Sequence, residues 1–313
     1  METIISPVDV ELLEKELTEE IFVRNTNNGH NEIYVFDHHN SPHLMKEVGR
    51  LREITFREAG GGTGKSYDMD AYDTAEVPFK QLIVWNPRDK EITGGYRFMH
   101  GKEMIEVSKG KEVESPTSRL FKISKKFVRD FMPYAIELGR SFVQPNYQPT
   151  YNLRKGMYSL DNLWDGLGAI VIDNPDVKYL FGKVTMYPQY DRLARDLVLF
   201  FLGRHFPDND NLIIPRKPLL LETDEKILNN IFTGCNFDED YKILVNKVRQ
   251  LNEGIPPLIN AYMTLSATMR TFGTTLNEHF GNVEETGILL TIEDIYDFKK
   301  DRHISTYKKD QQS

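Results

Sequence analysis

Short apolar runs and stretches of helical period alternate along most of this chain. Residues 21–23 (IFV) and 32–36 (EIYVF) flank the loop RNTNNGHN. Asn, Gly and His between apolar runs predict a hairpin whose loop is longer than the tight two-residue type. Ser41 and Pro42 read as a helix N-cap and first helical position, and Leu44, Val48 and Leu51 follow at helical spacing until Gly60, Gly61 and Gly62 end the helix. A polar loop at 67–73 (YDMDAYD) leads to two strands, 81–86 (QLIVWN) and 91–98 (EITGGYRF), around the turn PRDK. A basic, aromatic helix at 124–131 comes next, then an extended segment at 134–143 (YAIELGRSFV) that Pro145 and Pro149 break. A helix at 160–173, a strand at 178–186, a helix at 189–205, a helical stretch at 222–252 and a strand at 287–292 (GILLTI) complete the series. This order suits one α/β domain, a mixed sheet with helices on both faces.

Composition narrows the function classes. Hydrophobic residues are 40% of the 313 and charged ones 27%, an ordinary soluble balance with ample material for a core. The longest apolar run, LVLFFL at 197–202, is far short of the roughly 18 residues that span a bilayer. The N-terminus METIISPVDVELLEKEL is acidic where a secretory leader is basic and apolar, so the expected location is cytoplasmic. A net charge of -8 argues against nucleic acid as a partner. The single cysteine, Cys235, excludes an intrachain disulfide or a cysteine metal cluster and is expected to serve as a small apolar residue.

Two motifs invite chemistry and are set aside. Residues 59–66 (AGGGTGKS) fit a variant phosphate-binding loop, which would make the chain a nucleotide-binding regulator. Such a loop must follow a buried strand and open a helix. Here the preceding GRLREITFREA is charged and helix-like, and YDMDAYD follows, so a glycine-rich loop folding over a substrate is the better expectation, with Lys65 free to meet an anion. His38, His39 and His43 (DHHNSPH) lack a partner geometry for a metal, and none is expected.

The informative feature is charge inside segments that should be partly buried. Arg52 and Phe56 share a helix face, Asp70 and Asp73 lie in the loop after it, Arg97 sits in an apolar strand, and Glu137 and Arg140 fall within ELGR in another. Arg140, three on from Glu137, should point to the opposite sheet face unless a bulge intervenes. The set R-x-x-x-F, D-x-x-D, a strand Arg and E-L-x-R is similar to the acyl-homoserine-lactone synthases. It is similar also to the ornithine-lipid and glycine-lipid N-acyltransferases, often labelled hemolysin-like; both groups are GNAT proteins. EVGRLREITFREAGGGTGK, KQLIVWNPRDKEITGGYRF, ELGRSFVQPNYQP, LDNLWDGLGAIV, LFGKVTMY, IPPLINAYMTL and FGTTLNEHFGNVEETGILL resemble the glycine-lipid type of the Bacteroidetes over most of residues 7–307. The long C-terminal part departs from the lactone synthases and favours a lipid product.

The resemblance implies a single GNAT-like acyltransferase domain, with a core over about 20–215 and a helical and strand extension over about 216–313. It implies no permanent cofactor, the acyl-phosphopantetheine of acyl carrier protein as donor, an amino-acid amine as acceptor, and an aminolipid precursor of glycine or ornithine type as product. The alternatives are a lactone-type signal synthase and the nucleotide-binding regulator. The partners expected are acyl carrier protein and the amine, with a peripheral membrane contact. Lys122, Lys125, Lys126 and Arg129 are either a docking patch for the acidic carrier or a solvated helix face.

An ammonium cannot attack a thioester while a proton holds its lone pair, so a carboxylate must take that proton. Glu137 is the first choice, with pairing to Arg140 or Arg97 as its other reading. Arg52, Arg97 or Arg140 would hold the acceptor's carboxylate; Asp70 and Asp73 would hold its ammonium or order the loop. The resemblance puts the oxyanion at backbone N–H groups near Ser141, Phe142 and Val143, and the pantetheine arm in the splay between strands 134–143 and 178–186. The donor phosphate would then meet the N-terminus of the following helix. Phe56, Trp85, Phe127, Phe131 and Trp164 either line an acyl pocket or pack as core.

Overall fold

The segments of period two become strands of one eight-stranded sheet, seen in a computed structural model that describes residues 1–308. Helix α1 (Val10–Glu16) precedes the hairpin β1 (Phe22–Asn25) and β2 (Glu32–Phe36), then α2 (Pro42–Glu58). Next come β3 (Lys80–Asn86), β4 (Glu91–His100), α3 (Gly101–Ser108), β5 (Phe121–Ile123), α4 (Lys125–Asp130) and β6 (Ala135–Val143). The short α5 (Leu153–Gly156) leads into α6 (Ser159–Asp173), β7 (Tyr179–Met186), α7 (Arg192–His205) and β8 (Ile213–Pro215). Helices α8 (Glu225–Ile231), α9 (Phe237–Gln250) and α10 (Pro257–Met263), strands β9 (Arg270–Asn277) and β10 (Val283–Thr291), and α11 (Asp297–His303) follow.

The sheet order is β1-β2-β3-β4-β6-β7-β10-β9, and β5 pairs with β8 apart from it. Every pairing in the large sheet is antiparallel except β6 with β7. One face carries Leu82, Val84, Phe98, Ile136, Leu138, Leu180 and Val184 under α6 and α7, which contribute Leu163, Leu167, Leu197, Val198 and Phe201. Each such side chain adds roughly 1.5–3 kcal/mol by leaving water. The other face carries two apolar patches. Ile83, Trp85, Ile92 and Phe142 pack on α2 through Leu44, Val48 and Leu51. Met99, Ala135, Phe181 and Leu289 pack with Phe121 and Phe127. Between these patches runs a strip of buried charge.

Sequence and structure differ at several elements. Ser41 makes no side-chain cap; Glu16 of α1 takes the first free amides of α2 instead, from His43 (3.0 Å) and Leu44 (2.8 Å). The stretch 222–252 is two helices, broken where the Gly234 amide bonds to Asp240 at 2.9 Å. Strand β9 is absent from the sequence reading, and β10 begins four residues before the predicted strand. Among the described residues no helix is long and apolar enough to cross a membrane.

Candidate active site

Strands β6 and β7 run together only from Ala135 opposite Tyr179 to Leu138 opposite Gly182. Beyond that, β6 stays on β4 through Val143 while β7 follows β10 through Met186. The two strands diverge around a cleft lined by Gly139, Ser141, Gly182 and Lys183. Gly182 allows the last close approach: a Cβ there would lie 2.3 Å from the Leu138 carbonyl oxygen. Peptide groups of β6 that would have bonded to β7 are left without a strand, and such N–H donors are what an oxyanion needs.

On its other edge β6 carries a bulge. The register with β4 slips between Gly95 opposite Phe142 and Arg97 opposite Gly139, so Arg140 and Ser141 together face Tyr96. Arg140 takes φ 49°, uncommon for a residue other than glycine. Strict alternation would send Arg140 away from Glu137; the bulge returns it to the α2 side, where its guanidinium lies 4.1 Å from the Phe280 ring centroid.

There three arginines meet three aspartates. Arg52 of α2 donates to Asp73 at 3.2 Å and to Gln81 of β3. Arg97 of β4 donates to Asp70 (2.9 Å) and Asp73 (3.1 Å). Arg140 donates from Nη2 to Asp68 at 3.1 Å, and its Nε forms a close ion-pair contact of 2.7 Å with the other oxygen of that carboxylate. Arg52, Asp68 and Asp73 are wholly buried. Burial alone would raise the Asp73 carboxyl, but Arg97 and Arg52 beside it hold it well below the usual range. At Asp68 burial wins over Arg140 and Arg52, and the carboxyl is pushed up. Burial lowers the Arg52 guanidinium; at Arg97 the same penalty is outweighed by Asp73 and Asp70, which raise it.

Glu137 stands apart from this network. Its Oε1 accepts from the Thr117 amide (2.9 Å) and hydroxyl (2.7 Å), while Oε2 is buried with no protein partner. Neither Arg140 nor Arg97 is paired with it; both are given to aspartates. Across the cleft on the same sheet face, Lys183 of β7 lies 3.9 Å from Glu285 of β10, and Glu285 accepts from Asn277 of β9 at 2.8 Å. The Tyr187 hydroxyl nearby is pushed up to about 12 by burial and by Glu285. Toward the far face the cleft meets Tyr96, Tyr262, Leu180, Ile288 and Leu290. Burial raises both tyrosine hydroxyls, which therefore keep their protons at neutral pH.

The structure thus brings together Arg52, Asp70, Asp73, Arg97, Glu137, Arg140 and Ser141. Of the remaining residues, the aromatics mostly take the second of their two readings, as core. Phe56 packs edge-on against Phe280 at 5.2 Å, away from the cleft, and Phe142 and Trp85 belong to the same apolar patch. Val143 is half-buried at the end of β6. Trp164 lies behind Leu180, lining a separate apolar pocket together with Lys299 and His303 of α11. Phe127 and Phe131 stack at 5.6 Å in the third core patch. Of the basic group, Lys126 is tied to Asp210 and Arg129 to Asp130. Cys235 is exposed, not a small core residue.

The glycine loop is filled by a carboxylate. Glu53 of α2 accepts from the Thr63 amide and hydroxyl (3.0 and 2.7 Å) and the Gly64 amide (2.8 Å). Burial alone would raise the Glu53 carboxyl, but these donors and Arg57 bring it below its ordinary value. A phosphate would have to displace that charge, and Glu2 also accepts from the Ser66 amide at the end of the loop. His38 and His39 bond to the Ala75 and Glu76 carbonyls, and His43 to Glu16.

Asp68, Gln81, Thr117, Lys183 and Glu285 were not singled out from sequence. Lys183 carried the same signal as Arg97, a cation inside an apolar strand (LFGKVTM). Asp68 stands in the same acidic loop as Asp70 and Asp73.

The acetyltransferase (GNAT) domain family matches residues 51–155, which include the second half of α2, the acidic loop, β3, β4 and β6. A glycine N(alpha)-acyltransferase of Phocaeicola vulgatus is 54% identical over 309 residues, 99% of this chain and 94% of that protein. One from Bacteroides thetaiotaomicron is 53% identical over 307 residues, 98% and 91% of the two chains. Among solved structures, the CoA-dependent acyl-homoserine lactone synthase BjaI with SAM and isopentyl-CoA aligns with a TM-score of 0.39 at 11% identity, covering 87% of this chain and 89% of that one.

Proposed function

The chain belongs to the family of the glycine N(alpha)-acyltransferases and is an N-acyltransferase of GNAT-like α/β fold, and we propose that it moves a fatty acyl group from the phosphopantetheine thioester of acyl carrier protein to the amine of glycine. The product is an N-acylglycine, the precursor of an aminolipid, made on the cytoplasmic side of the membrane. The observation that carries the reading is the opening of the β6–β7 ladder after Leu138, beside an unpartnered oxygen of Glu137.

In this reading the pantetheine arm lies between β6 and β7, and the thioester carbonyl faces the free amides near Ser141. Glu137 Oε2 takes a proton from the glycine ammonium, directly or through a water. The freed lone pair attacks the carbonyl carbon, and β6 amides stabilise the oxyanion. The nitrogen of the intermediate still carries one proton too many. As the C–S bond breaks, the departing thiolate takes that proton to leave as a thiol, the amide remains, and Glu137 passes its own proton to solvent. Thr117 holds Glu137 in place, and the arginine–aspartate strip holds the bulge at Arg140.

Mass spectrometry of lipids from cells expressing this chain alone tests the product; N-acylglycine is expected, and an N-acyl homoserine lactone would move the reading to the signal synthases. With purified protein, acyl carrier protein is expected to be the better donor by a wide margin. Equal rates with the matching acyl-coenzyme A would overturn that choice.

A further inference from the structure

We infer that Lys183 binds the carboxylate of the acceptor, so that the enzyme selects an α-amino acid over a plain amine. This rests on the acyl-transfer reading above and adds the residue that recognises the acceptor.

The three arginines beside the cleft have aspartate partners at 3.2 Å or less. Lys183 does not. Its side chain is only 10% exposed, and its described partner is Glu285 at 3.9 Å, beyond hydrogen-bond length. An ammonium has three donors, and Glu285 at that distance satisfies none of them, which leaves them to water in the cleft and to any anion that displaces it. Such a group is arranged for an anion that arrives.

Geometry says from which side. Lys183 lines the cleft beside Gly139 and Ser141. Glu137 stands opposite Phe181, and Lys183 is two residues further along β7, hence on the same face. Glu285 approaches from β10, on the flank away from β6, and leaves the cleft side of the ammonium open. Gly139 adds room, since a Cβ there would meet nothing nearer than Arg97 Nε at 3.5 Å. A carboxylate seated on Lys183 puts the α-amine, one carbon away, between Lys183 and the free oxygen of Glu137, over the open end of the ladder. Glu285, braced by Asn277, keeps the lysine neutralised until the acceptor arrives.

The test compares acylation of glycine with that of glycinamide, which has the amine but no carboxylate. It uses the purified full chain, with palmitoyl groups on acyl carrier protein and on coenzyme A in parallel. The wild-type protein is expected to prefer glycine. Lys183→Met should raise the KM for glycine about 10- to 100-fold, the worth of a charged hydrogen bond, with kcat changed far less. Glycinamide transfer should move little, so the preference collapses, and Lys183→Arg should restore part of it. A glycine-to-glycinamide ratio left intact in Lys183→Met overturns the inference. So does an equal loss on both acceptors, whether or not the thermal midpoint is native. If the wild-type protein acylates no α-amino acid, the functional reading itself fails, and that result is visible before any variant is made.

Discussion

The two lips of the cleft are built on opposite principles. The near lip, on β4 and β6 beneath α2, holds three arginines against three aspartates with each charge tied down at close range. The far lip, on β7 and β10, holds one lysine and one glutamate 3.9 Å apart. Matched buried pairs fix geometry but have little capacity left for a ligand. A loosely matched pair gives up less when a ligand's charge enters. The near lip is thus a frame, beside which Glu137 keeps one carboxylate oxygen without a hydrogen-bond partner, and in the proposal above the far lip reads the acceptor.

Glu137→Gln gives the largest expected effect. Glutamine still accepts both bonds from Thr117, and no arginine loses a partner, so the fold should survive. Loss of the base should lower turnover about 100- to 10,000-fold. A well-folded variant with near-normal turnover would make the near lip structural throughout.

Arg97→Met should instead act on stability. It leaves Asp70 and Asp73 without their shared cation, and urea unfolding should show a loss of about 3–5 kcal/mol. If the loss is under about 1 kcal/mol, a value usual for surface pairs, the strip is not the frame described.

Acid unfolding separates two carboxylates of the same lip. Asp73 is held below its unfolded value of 3.8, so its contribution is fully present above that value and is lost as pH falls through and below it. Asp73→Asn should flatten this acid limb by about 2 kcal/mol. Asp68, raised by burial, has the opposite sign and opposes folding above its unfolded pKa. An acid limb unchanged in Asp73→Asn would reassign the effect to other carboxylates.

Arg140→Lys should have the smallest effect. Charge is kept but the fork onto Asp68 is lost, costing about 1 kcal/mol in thermal stability. Its KM for glycine should shift less than that of Lys183→Met; a larger shift would exchange the roles of the two lips.

Much of the frame was legible because charge inside an apolar strand or helix is rare enough to notice, which marked Arg52, Arg97, Glu137 and Arg140. Their pairing was not legible. Sequence offered Arg97 or Arg140 to Glu137, whereas Asp68, Asp70 and Asp73 take all three arginines from a loop whose path only the fold sets. The bulge at Arg140 was anticipated only as an exception to alternation, since two residues facing one leave no mark in composition. The strong periods of α2, α6, α7, β3, β4, β6 and β7 placed those elements to within a few residues. Strand β9 was missed because RTFGTTLN carries three threonines and a glycine, Gly273, at φ 80°, which reads as loop. Without β9, Asn277 had no reason to stand beside Glu285.

The far lip also depends on timing. Strand β10 begins about a hundred residues after β7 ends, so a ribosome adding roughly 5–20 residues per second delivers it some 5–20 s later. For that interval β7 is an open edge, with Leu180, Val184 and Met186 beside unpaired backbone. The growing chain therefore passes through an interval in which this apolar edge lacks its neighbour and the far lip is incomplete.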